Sequence, residues 1–89
     1  MSATEYHRVR SVERELAYGR RLVQPLTAAT PTQLAGSAPA IWDLLREHHT
    51  VDALVAMLQQ QFSDSPEVIG VGVRRALSSM TEAELVVMS

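Results

Sequence analysis

The side chains able to do chemistry in this 89-residue chain are few and scattered. Catalysis needs a nucleophile, an acid–base pair or a metal held in defined geometry. There is no cysteine, which removes thiolate zinc sites, cysteine nucleophiles and disulfides together. His7 lies in the N-terminal segment with no carboxylate or histidine at ligand spacing. His48 and His49 are adjacent, so on a regular element they point in different directions, and both are expected in an exposed turn between helices. No glycine-framed elbow surrounds Ser37, Ser63 or Ser65, which read as caps and turn residues. Neither a phosphate loop nor a dinucleotide fingerprint is present. The chain is therefore read as non-catalytic, with no metal and no cofactor.

Composition narrows the remaining classes. A hydrophobic fraction of 46% with one Phe, one Trp and two Tyr means a core built mainly from Leu, Val, Ile, Met and Ala. That is ordinary for a single small domain, expected to span residues 1–89 with residues 1–8 free to be disordered. No apolar h-region opens the chain and no run of about 18 apolar residues occurs, so a cytoplasmic protein without membrane contact is expected. Net charge is −2, with Arg8, Arg10, Arg14, Arg20 and Arg21 gathered near the N-terminus and an acidic balance after them. A protein gripping phosphates would carry a basic excess, so no nucleic acid partner is expected.

Two periodicities divide the chain. From residue 12 to 17, Val12, Arg14 and Leu16 alternate with Glu13, Glu15 and Ala17, the period of a strand with unequal faces. Tyr18-Gly19 follows as a hairpin turn, residues 20–24 return, and Pro25 ends that strand by removing a ladder donor. Residues 30–34 form a third strand at a sheet edge, where Pro31 is tolerated. After Gly36 the period becomes about 3.6, and three helices follow. The first has Ser37 as N-cap and Ala38, Ile41, Trp42 and Leu45 as its buried stripe. Thr50 caps the second, whose stripe is Val51, Leu54, Val55, Leu58 and Phe62. The third opens with Ser65-Pro66-Glu67 and buries Ile69, Val73, Ala76, Leu77 and Met80. The fold class is α+β: a three-stranded antiparallel sheet followed by three helices, winged-helix-like.

The third helix also has a flank that its core stripe does not use. Val68, Val71, Gly72 and Arg75 combine apolar contact, a small residue and a charge. Gly70 and Gly72 each weaken a helix by roughly 1 kcal/mol relative to alanine, a cost that tight packing or an open groove would explain.

The stretch Leu34-Ala35-Gly36-Ser37-Ala38-Pro39-Ala40-Ile41-Trp42-Asp43-Leu44-Leu45 resembles the PqqD-like family, also called RiPP recognition elements. His49-Thr50-Val51-Asp52-Ala53-Leu54 resembles its threonine-capped second helix, and Phe62, Val73, Leu77, Met80 and Leu85 match later apolar positions. The resemblance covers residues 12–87. It implies a leader-peptide-binding chaperone whose partners are a precursor peptide and a modifying enzyme or leader peptidase. The leader would add as a strand to the sheet edge at Thr32, Gln33 and Leu34 and lie against Val68, Val71, Gly72 and Arg75. Three positions depart from the family pattern. Thr30-Pro31-Thr32 is small where a bulky residue is usual, which implies a short or shifted ladder. Glu84 replaces a glycine before the tail leucine, so a left-handed cap there would cost energy or the helix would continue. Glu47-His48 replaces a glycine after the first helix, which implies a different turn.

The same order of elements could place a helix in a DNA major groove. A recognition helix displays several polar or cationic side chains, however, and here Gln59, Gln60 and Gln61 fall at a helix end while the third helix offers Arg74 and Arg75. An enzyme-binding scaffold subunit that holds no peptide is the other alternative.

Overall fold

In the computed structural model, which describes residues 4–89, the alternating segment and its return strand pair as expected. Strand β2 (Ser11–Glu15) runs antiparallel to β3 (Arg21–Pro25), with Val12 opposite Gln24 and Arg14 opposite Leu22. At the turn, Tyr18 and Gly19 both adopt positive φ, 62° and 71°. Glycine accepts that conformation freely, whereas Tyr18 carries strain there and projects almost wholly into solvent. Strand β4 (Thr32–Leu34) pairs with β3 and is shorter than residues 30–34, because pairing begins only after Pro31.

Every residue of β2 from Val12 to Glu15 is exposed to some extent, and among its charged side chains Glu13 is the one that reaches back to the core boundary. Val12 is 60% exposed. Glu13 instead accepts a 2.8 Å hydrogen bond from the indole Nε1 of Trp42, which is fully buried. Arg8 and Arg21 both approach the same carboxylate, Arg21 also binds Asp43 and Glu15, and the Arg8 guanidinium lies 5.0 Å from the Trp42 ring centroid. The hydrogen bond that Arg21 donates to Asp43 holds its guanidinium above its ordinary pKa against the opposing effect of desolvation. The polar end of the tryptophan is thereby satisfied at the core boundary.

A second sheet was not anticipated from the sequence. Strand β1 (Glu5–Arg8), expected to be free, lies between β5 (His49–Thr50) and β6 (Val86–Met88), antiparallel to both. Residues 1–3 lie outside the described residues. His49 is consequently half-buried in a strand, not in an exposed turn, while His48 is exposed and stacks on His7 with ring centroids 4.1 Å apart. The near-parallel rings, inclined by 7°, do not converge their lone pairs on one point. Among the described residues no group of three His, Cys, Asp or Glu side chains is placed to hold a metal ion.

Three helices pack on these sheets: α1 (Ala38–Leu44), α2 (Val51–Leu58) and α3 (Pro66–Glu82). Thr50 caps α2 by accepting from the Ala53 N–H at 3.1 Å, and Ser65 caps α3 by accepting from Val68 at 3.3 Å. Ser37 differs: its backbone is already helical and its side chain makes no capping bond. Helix α2 stops at Leu58, so Phe62 lies in the following turn instead of on the helical stripe. At the other end of α3 the helix terminates and Glu84 takes φ 61°. Leu85 N–H then bonds the Met80 carbonyl at 2.8 Å and Glu84 N–H bonds Thr81 at 3.1 Å, a Schellman closure made without the usual glycine. Leu85 is thereby turned into the core beside Trp42, Ile41, Leu45, Leu54, Val73 and Leu77. The architecture is α+β with two three-stranded antiparallel sheets and three helices, one more sheet than the sequence suggested.

Candidate functional site

Strand β4 ends its sheet, which runs β2-β3-β4, so among the described residues one of its edges is unpaired. An unpaired edge offers N–H and C=O groups to any extended chain that approaches it. Beside this edge and α3 lies a cleft of about 280 Å³, lined on the strand side by Thr32, Gln33 and Leu34 and on the helix side by Arg75, Ala76 and Ser79. Leu34 is buried among core residues, so only its backbone is available to a ligand, while Gln33 is exposed. Ala38 and Met80 complete the apolar floor.

Of the helix residues singled out in sequence, Arg75 alone enters this cleft. Val68 and Gly72 line an adjoining slot of about 260 Å³ with Ile41, Leu58 and Phe62. Ser37 borders both cavities, which therefore lie side by side along α3. Val71 is half-exposed and lines neither cavity. The sequence reading missed the small floor residues Ala38 and Ala76 and the turn residue Phe62. Their signal was present: Ala38 and Ala76 were assigned wholly to the core, and an aromatic residue just past a helix end need not belong to the helix.

The two glycines of α3 separate on geometry. A methyl at Gly70 would come within 3.1 Å of a guanidinium nitrogen of Arg74, one turn on in the same helix, and make an ordinary 3.9 Å contact with Val55 of α2, so Gly70 sits under neighbouring side chains. A methyl at Gly72 would meet nothing within 4 Å. Gly72 therefore leaves space open, and that space belongs to the slot. Consecutive helix residues diverge by about 100°, which sends Arg74 and Arg75 to different flanks of α3. Arg74 borders a cleft on the far flank with Tyr6, Leu77 and Met88, where Glu82 adds the opposite charge. Only Met88 of β6 lines that far cleft, whereas three successive residues of β4 line the near one. Both β4 and β6 end their sheets, but the near cleft is the one that runs a continuous stretch of strand edge along a helix flank.

A family model described as coenzyme PQQ synthesis protein D, PqqD, matches residues 27–86. The chain belongs to the PqqD family. The match begins in the turn before β4 and ends in β6, so it takes in both walls of the near cleft. PqqD proteins are accessory proteins of PQQ and related peptide-derived product biosynthesis. No characterised protein and no solved structure matched the chain. No helix is long and apolar enough to cross a membrane among the described residues.

Proposed function

We propose that this PqqD-family chain is a non-catalytic chaperone that captures the leader of a ribosomally made precursor peptide and presents it to a modifying enzyme or leader peptidase. The observation that carries the reading is the meeting of the unpaired β4 edge with the cleft against α3. A leader entering there gains main-chain hydrogen bonds from β4 and side-chain burial against the helix. The backbone run is short, three residues after a proline, so the ladder supplies limited affinity and the cavities must supply the rest. Alternate side chains of one extended strand project to the same face, so a leader paired on β4 would turn every second side chain towards α3.

Titration of the isotope-labelled protein with the leader of the precursor encoded beside it tests the reading. The expected amide shift changes fall on residues 32–34 and along α3 from Gly72 to Met80. Changes confined to α2, or to His48 and His49, would place the ligand elsewhere and end the proposal.

A further inference from the structure

Arg75 brings a charge to a cleft whose other lining is apolar, hydroxyl-bearing or, at Gln33, a neutral amide. Its neighbours there are Thr32, Ser37, Ala76, Ser79 and Met80, and no Asp or Glu lines the cavity. Among the described residues Arg75 makes no ion pair, in contrast to Arg8 and Arg21, which are both engaged by Glu13. A guanidinium beside a partly desolvated apolar floor favours a carboxylate with two acceptor oxygens over a neutral group. The floor itself is set by Ala38 and Ala76, whose small side chains leave room for one medium apolar side chain.

We infer that the cleft selects an extended peptide carrying an Asp or Glu two residues from a Leu, Ile, Met or Phe, with Arg75 as the specificity-determining residue. This rests on the leader-binding reading. The two-residue spacing follows from strand geometry. Residues i and i+2 of a strand face the same side about 6.6 Å apart, whereas an adjacent residue faces away from the cleft. One helical turn rises about 5.4 Å, so Arg75 and the Ser79–Met80 level of α3 can be met by successive same-face side chains.

A displayed library of random twelve-residue peptides, selected in parallel against the parent protein and the Arg75→Glu variant, provides the test. Arg75 is exposed, so the charge reversal leaves the core untouched. Parent-selected peptides are expected to share the acidic-x-apolar or apolar-x-acidic pattern, and the variant to select Lys or Arg in place of the acid. Replacing the selected carboxylate by its amide should weaken binding to the parent by about three- to tenfold, the range of a charge-assisted contact at a partly exposed site. Arg75→Lys should retain the acidic preference. Selected peptides that shift residues 32–34 and 75–80 but show no acidic preference, or the same pattern with Arg75→Glu, would overturn the specificity while leaving the leader-binding reading standing. Peptides that map to another surface, or a library that yields no binder, would overturn both.

Discussion

The sheet of β2, β3 and β4 is assembled from neighbours in sequence, whereas the sheet of β5, β1 and β6 joins three distant parts of the chain. The first ends in an open edge beside a cleft and carries the candidate site. The second closes the molecule, with Glu5 and Ser89 exchanging reciprocal backbone hydrogen bonds of 3.1 and 2.9 Å. On the reading proposed above, the first sheet is the one a leader would extend. Three successive residues of its edge strand β4 line a cleft against α3, whereas the edge strand β6 contributes Met88 alone to one. The second sheet secures the segments that flank the helices, so the lesson is a division between recognition and closure within one small core.

Trp42→Ala should show how far that division goes. The side chain is fully buried and its indole is tied to β2 through Glu13, so truncation should cost about 3–5 kcal/mol, comparable to the stability of a domain this small. Denaturant unfolding followed by amide exchange is the measurement. Both sheets are expected to lose protection together; survival of the β5-β1-β6 amides alone would split the core into two units.

Val86→Ala removes buried volume at a residue of the closing sheet, where it contributes to the shared core but lines neither the cleft nor the slot. It should cost about 1.5 kcal/mol, from two buried carbons at about 0.8 each, and leave leader affinity within twofold of the parent. A parallel loss of affinity in calorimetric titration would show that closure and recognition are coupled. Gly72→Leu is the converse. A Cβ at this position meets nothing within 4 Å, so stability should hold or rise slightly, while a side chain occupying the slot should weaken leader binding by about tenfold. Unchanged affinity would remove the slot from the recognition surface.

The smallest expected effect is at Glu84, where a left-handed backbone is imposed on a residue with a Cβ. Glu84→Gly should stabilise the protein by about 1 kcal/mol without altering binding. A neutral or lower melting temperature would mean that the closure at Leu85 carries no strain.

The same division decides what could be read from the sequence. The β2–β3 hairpin announces itself through Tyr18-Gly19 and Pro25, and the caps Thr50 and Ser65 follow from rules that act within one helical turn. Strand β1 carries no such signal: Glu-Tyr-His-Arg becomes a strand because partners from residues 49–50 and 86–88 arrive on either side of it. The stacking of His7 on His48 is invisible for the same reason. At the site, the edge residues and Arg75 were legible because they follow from strand order and helix periodicity. The boundary between the two cavities was not, since it depends on where α2 stops and where the chain turns at Phe62. The inward turn of Glu13 was equally hidden, because that side chain is drawn in by an indole donor and two arginines rather than by apolar burial.

Trp42 is the chain's single tryptophan, and it touches Glu13 and Arg8 but lines neither the cleft nor the slot. Indole emission moves to longer wavelength when water reaches the ring, so this chain carries an optical gauge of core integrity that is blind to the cleft. Leader capture should leave the emission maximum in place while unfolding reddens it. A ligand-induced change in colour or intensity would instead report that occupancy of the β4 edge is transmitted to the core, with Arg21, paired opposite Leu34 and bound to Asp43, as the connecting side chain.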